Sequence, residues 1–235
     1  MDSQKPQTRG LARRQAMLCA ATELFLEKGF ERTSLSDIVE RSKGSRSTLY
    51  EQFGNKEGLL RAMIGDATQR VWEVINLKDD TFLLNEEALV GIGRRFLRAA
   101  VSPDALAIFR IVVAEGIRIR GIAQFFFDSG PRILRERLTN VFRQAQSAGL
   151  FGPGNPEDMA QIFVGAILRD NHILAAFGML PRWTDEELDA QVRNAVRVFL
   201  RGVGWSAPES LAANGVGIDS QFSMSGDEGT VGVPT

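Results

Sequence analysis

Apolar residues recur along this chain about every 3.6 positions, one helical turn, while the apolar/polar alternation of a half-buried strand is rare. That periodicity argues against a sheet-based architecture and predicts an all-α fold. Met17, Ala20, Ala21, Leu24 and Phe25 mark a first stripe, and Leu35, Ile38 and Val39 a short second one. Leu49 and Phe53, one turn apart, mark a third. Gly29 suits a helix C-cap, and Ser34 and Asp37 have capping-box spacing with Asp in place of the usual Glu. Ser45 can cap the third helix, and Asn55 a long fourth one running through Leu60, Met63, Ile64, Ala67, Val71 and Val74. Three short helices therefore hang on one long helix.

Beyond it, Asn85 can start a helix to about Val101, and Ser102-Pro103 opens another, proline being favoured at a first helical position. Gly121 and Gly130-Pro131 punctuate the next segments, and GLFGPGNPED at 149–158 reads as a loop ending in an Asn155 cap. Two final helices follow, at about 156–178 and 184–202, giving about nine helices in all. Residues 204–235 carry several acids, no Lys or Arg, and no apolar period, so a disordered tail is expected there. The resulting division is 1–58, an N-terminal arm and three-helix head; 59–203, a larger helical domain; and 204–235, the tail.

With 235 residues and a 44% hydrophobic fraction, a packed core is available. Formal net charge is only -1, so any polyanion binding must come from local charge. Lys5, Arg9, Arg13 and Arg14 face only Asp2 across the first fourteen residues, which suits either phosphate neutralisation or a merely solvated terminus. Cys19 is the sole cysteine and His172 the sole histidine, so neither a disulfide nor a Cys/His metal cluster is expected. Cys19, inside MLCAA, reads as a small buried hydrophobe. No cofactor loop or nucleophile–base pair stands out, and the expectation is not an enzyme, with no cofactor and no metal. No apolar run is long enough to span a bilayer and no secretion signal precedes the first helix, so no membrane contact and a cytoplasmic location are expected.

The stretch SKGSRSTLYEQF, 42–53, places hydroxyls and one arginine at the start of a short helix that keeps an apolar inner side. Two short helices joined by a glycine-containing turn suit a helix-turn-helix, whose second helix presents small polar residues to the major groove. Hydroxyls accept or donate, Arg46 can be bidentate to guanine or pair with phosphate, and helix N-terminal amides favour phosphate oxygens. A solvated helical hairpin is the competing reading of the same residues.

The segment from about 11 to 60 resembles the N-terminal domain of the tetracycline-repressor (TetR/AcrR) family of transcriptional regulators. Its most specific block stands as Thr48-Leu49-Tyr50, Phe53, Lys56-Glu57 and Leu59 or Leu60. The resemblance implies that Ser34 contacts phosphate, that Arg46, Ser47 and Thr48 read the groove, and that Tyr50 and Lys56 grip phosphates on either side; Lys43 and Ser45 complete the DNA-binding set. The family often has Gly-Val where this chain has Lys43-Gly44, and commonly Gly where it has Ser47. Gly44 is expected to supply the positive-φ turn instead, and base preference is what these departures change. RIVVAEGIRIRGIAQFFFDSGPRIL, 110–134, is similar to the C-terminal domains of a subgroup often linked to efflux control.

The resemblance further implies a helical ligand-binding and dimerisation domain, and a homodimer that binds a palindromic double-stranded DNA operator and is released by a small-molecule inducer. A repressor is expected, although an activator would use the same head. The last two helices are the expected dimer interface, forming a four-helix bundle with a second copy. Trp72, Phe96, Phe109, Val113, Phe126 and Ile167, with the polar Glu115, Arg118 and His172, are the candidate inducer residues; core packing is the competing role for the apolar ones. A helical dimerisation or adaptor protein that has lost DNA binding is the alternative function.

Overall fold

The computed structural model describes residues 5–75, 84–179 and 183–206, and these form eleven α-helices and no strand. The expected tail beyond 206 lies outside the described residues. The chain opens with α1 (Lys5–Lys28), α2 (Leu35–Ser42), α3 (Arg46–Phe53) and α4 (Lys56–Ile75). It continues through α5 (Glu86–Ala100), α6 (Pro103–Glu115), α7 (Ile122–Ser129) and α8 (Pro131–Ser147). It closes with α9 (Pro156–Leu168), α10 (Asn171–Ala176) and α11 (Asp185–Gly202).

Most boundaries follow from local chemistry. Ser34, Ser45, Asn55, Asn85, Ser102, Asn155 and Thr184 each accept a first-turn backbone N–H at a helix start. Asp37 closes a reciprocal box with Ser34 at 3.1 and 3.0 Å, so the shorter carboxylate does the work of the usual Glu. Gly29 ends α1 at φ 82, where a Cβ is costly.

Three sequence expectations are corrected. The first helix is not short: α1 runs 24 residues and takes in most of the expected arm, where Arg14 ion-pairs with Asp66 of α4 (3.7 Å) and lies over the Phe53 ring (5.6 Å). The expected helix at 156–178 breaks at Arg169, held at φ 52, ψ -136 with no Gly or Pro to mark it; together with the short α7, this raises the count from about nine to eleven. Cys19 is exposed rather than buried, because it stands off the Met17/Ala20/Ala21/Leu24 stripe.

Two apolar cores result. One joins α1, α2 and α3 to the first half of α4 and to Ile108, Ile111, Val112, Ile119 and Ile122. The other fills the larger domain around Phe142, Phe163 and Phe199, whose rings meet at 5.2–5.7 Å. Helix α4 contributes to both, Leu59 to Ala67 in the first and Ile75 in the second. A displacement of α4 is therefore felt in both cores.

Candidate nucleic-acid interface

Helix α3 is seated by Leu49 and Phe53, both buried against α1 and α4, which leaves Arg46, Ser47 and Tyr50 exposed on its other side. At its start, the Ser45 hydroxyl accepts the Thr48 N–H (3.1 Å) and lies 3.0 Å from the Ser47 hydroxyl and 2.8 Å from that of Thr48. Three hydroxyls thus share one exposed corner beside the amides of a helix N-terminus, a surface that suits phosphate oxygens and base edges. Arg46 donates to the Ser36 hydroxyl of α2 at 2.7 Å, which tethers the guanidinium across the two helices. Ser36 escaped the sequence reading; its signal is its place two residues after the Ser34 cap on the exposed side of α2.

The turn between α2 and α3 departs from expectation. Lys43, not Gly44, adopts the left-handed conformation, at φ 52 and ψ 33, and the Gly44 N–H closes a Schellman-type bond to the Val39 carbonyl at 3.0 Å. Gly44 is needed for space instead: a Cβ there would lie 2.4 Å from the Met17 methyl. Lys43 stays exposed beside the recognition helix.

Helix α2 is held to α1 by Arg41, which is bidentate to Glu27 (3.1 and 3.2 Å) and also reaches Glu23 (3.1 Å). The hydrogen bond from Arg41 keeps the Glu27 carboxyl below its usual range, and the backbone N–H of Ser34 does the same for Asp37. Ser34 is exposed at the start of α2 with its hydroxyl accepting the Asp37 N–H, so its own O–H remains available as a donor.

Lys56 sits differently from the other members of the set. Its ammonium donates to the carbonyls of Phe30 (2.8 Å), Glu31 (3.3 Å) and Thr33 (3.1 Å), and lies 4.3 Å from the Phe30 ring centroid. All three of its donors are directed at the turn between α1 and α2.

The nine candidate inducer residues do not line one cavity among the described residues. Phe96 and Ile167 are in the large-domain core, with Trp72 at its edge donating to the Ser129 carbonyl (3.2 Å). Phe126 packs against the head core, while Val113 and Arg118 are exposed. Phe109 and His172 do meet, stacked at 4.5 Å, and burial lowers the His172 pKa. Glu115 is 93% buried by its 7% exposure, and its Oε2 has no hydrogen-bond partner.

A cleft of about 170 Å³ lies elsewhere, at the seam of α1, α4 and α6, lined by residues including Cys19, Thr22, Met63, Asp66 and Asp104. Beside it, Arg14–Asp66 (3.7 Å), Asp66–Arg70 (2.6 Å) and Arg70–Asp104 (3.1 Å) run as one ionic chain from the head into the larger domain.

A short second helix bearing a hydroxyl-and-arginine corner, carried on a three-helix head and followed by a large helical domain, defines a helix-turn-helix DNA-binding protein. Residues 18–63 match the bacterial regulatory proteins of the tetR family, and residues 87–202 match the C-terminal domain of AefR-like transcriptional repressors. The chain belongs to the TetR family of transcriptional regulators, which are not enzymes. It is 49% identical over 51 residues to the HTH-type transcriptional repressor ComR of Escherichia coli, a stretch covering 22% of this chain and 24% of that protein. A TetR-family regulator from Mesorhizobium loti superposes with a TM-score of 0.70 at 23% identity, over 83% of this chain and 98% of that one. The flavonoid-responsive regulator FrrA superposes with a TM-score of 0.67 at 26% identity, over 81% and 96%. Among the described residues, no helix is long and apolar enough to cross a membrane, and no group of His, Cys, Asp and Glu has metal-site geometry.

Proposed function

We propose that this regulator is a homodimeric, ligand-responsive repressor that binds a palindromic operator and leaves it when a small molecule occupies the larger domain. The observation that carries the reading is the exposed N-terminal corner of α3, where Ser45, Ser47, Thr48 and the tethered Arg46 converge on a helix seated by Leu49 and Phe53. Arg46, Ser47 and Thr48 read base edges, while Ser34, Lys43 and Tyr50 meet phosphates. Lys56 acts one step back, pinning the α1–α2 turn so that the head keeps its shape.

One such head reads only a few base pairs, so two are needed, about 34–36 Å apart on successive major grooves. Support for the dimer comes from exposed apolar side chains at the end of the larger domain: Ile162 on α9, Ile173 on α10, Phe177 and Met179 just after it, and Val198 on α11. Exposed apolar side chains of this kind suit self-association in an isologous pair. A dimer acting on chromosomal DNA works in the cytoplasm.

Ligand response follows from α4 belonging to both cores. A ligand that favours a wider head separation by about 3 kcal/mol lowers operator affinity on the order of 10²-fold. The stacked Phe109 and His172 are the place where aromatic and polar candidates meet. Given that, and the likeness to FrrA, flat phenolic aromatics are the first inducer class to screen.

The test is fluorescence anisotropy on DNA fragments flanking the protein's own gene, titrated with salt, beside Arg46→Ala. Tight, salt-sensitive binding to one fragment, weakened in the variant, supports the reading. Binding to no fragment above random DNA, with the dimer intact, favours the adaptor alternative.

A further inference from the structure

We propose that the turn between α6 and α7 is a second DNA-backbone contact, in which Arg118 and Arg120 neutralise phosphates outside the surface read by α3. This rests on the DNA-binding reading above and names a part of the interface that the helix-turn-helix does not contain.

The turn sits at the head end of α4. Helix α6 runs antiparallel along α4: Asp104 at its start pairs with Arg70 (3.1 Å), and Ile108 shares a cleft with Met63. The turn that follows α6 therefore arrives at the first turns of α4. There the Arg61 guanidinium lies 5.2 Å from the Phe125 ring centroid and comes near Gly121. Helix α7 then returns alongside α4, bringing Gly130 against Thr68. The turn is thus level with the end of α4 that joins α3, since only Gly54 and Asn55 separate Phe53 from Lys56.

The turn is also fixed to the head. Ile119 and Ile122 are buried in the same core as Leu49 and Phe53 of α3, so the arginines flanking Ile119 move with the recognition helix. Either side of Ile119, Arg118 and Arg120 are exposed, and among the described residues neither has an ion-pair partner. By contrast Arg70, Arg94, Arg98, Arg132 and Arg193 of the larger domain hold carboxylates. Of the acids at this end, Glu115 is turned inward and buried, which leaves Glu57 on the first turn of α4 and Glu51 on α3 as the exposed ones. Arg61, Arg118 and Arg120 form a positive patch that is not cancelled locally.

Two exposed cations on a rigid turn, free of carboxylates and flanking a DNA-reading head, suit a polyphosphate strand. The competing role is structural, because cations just after α6 offset the negative end of its dipole. The two roles separate by measurement. A phosphate contact changes the salt dependence of DNA binding, while a dipole contact changes stability alone.

The experiment compares wild type with R118Q/R120Q, R118K/R120K and R132Q, on the duplex that wild type prefers and on a random-sequence duplex. Arg132 is an exposed control on α8, paired with Asp128 and Glu136. The slope of log affinity against log salt should fall by about 3.6 in R118Q/R120Q, about 0.9 for each of the two phosphates lost on each protomer of the dimer. Its affinity deficit relative to wild type should then shrink on the order of 10²-fold between about 50 and about 200 mM salt. Sequence preference should be unchanged, R118K/R120K should restore the slope, and R132Q should match wild type. An unchanged slope in R118Q/R120Q, with or without a loss of thermal stability, overturns the proposal while leaving the helix-turn-helix reading in place. Failure of wild type to bind any duplex in a salt-dependent manner overturns both.

Discussion

Replacing Lys56 with Met keeps the aliphatic stem and removes only the charge and its three donors. In the native head those donors hold the carbonyls of Phe30, Glu31 and Thr33 at 2.8, 3.3 and 3.1 Å, and the ammonium lies 4.3 Å from the Phe30 ring centroid. A hydrogen bond from a charged donor contributes about 1.5–3 kcal/mol when well shielded. Lys56 is only half-buried and water can re-solvate the freed carbonyls, so about 1 kcal/mol for each of the three is the appropriate scale. The cation–π contact falls within the same margin. The expected loss is therefore about 2–3 kcal/mol, which lowers the melting temperature by roughly 5–10 °C for a chain of this size. Circular dichroism melts give the stability, and anisotropy across a salt series gives the number of phosphates engaged. Lys56→Met should melt early yet keep the wild-type salt slope at temperatures where it remains folded. A variant of unchanged stability whose slope drops by about 1.8, one phosphate on each protomer, would show that the ammonium holds DNA instead, and would refute the reasoning.

Other predictions concern the turn, the half-buried histidine and the dimer. Lys43→Gly should stabilise the head by about 0.5–1 kcal/mol in urea melts, because Lys43 is held at φ 52 and relief of that strain exceeds the added chain entropy. Gly44→Ala should cost about 1–2 kcal/mol through its contact with the Met17 methyl, and Met17→Val in the same chain should recover much of it, a coupling read in a double-mutant cycle. Burial lowers the His172 pKa, so the unfolded chain binds the proton more readily; stability should decline as pH falls below about 6.5, less so in His172→Phe, as urea melts at pH 7.5 and pH 5.5 would show. Ile162→Asp with Val198→Asp should raise the dimer dissociation constant on the order of 10²-fold or more, as read by light scattering across a dilution series.

The head was the most legible region because its boundaries are set by short-range chemistry. Ser34, Ser45 and Asn55 cap the helices that their spacing marks, and Leu49 and Phe53 face inward one turn apart. Where tertiary contacts decide, periodicity is silent. The break at Arg169 carries no Gly or Pro, and Arg14, read as part of a solvated arm, instead meets Asp66 and Phe53, far away in sequence. The α2–α3 turn shows the same limit: glycine marked the tight place, but the left-handed residue is Lys43, and Gly44 answers to Met17 across the core. Lys56 matches a motif whose family role is phosphate contact, and only its three carbonyl partners point to another job. The candidate inducer residues were chosen for chemistry rather than place: Trp72, Phe96 and Ile167 join the large-domain core, Phe126 packs against the head core, and the other five belong to neither.

The central claim is that α3 docks in the major groove as one of a symmetric pair. Selection of bound sequences from a randomised duplex pool tests it most directly, with wild type and Arg46→Ala run in parallel. The account predicts enrichment of a palindrome with half-sites about one helical turn apart, with information lost in Arg46→Ala at the same positions of both half-sites. A pool that stays random with wild type, or an enriched sequence that Arg46→Ala selects equally well, would contradict it.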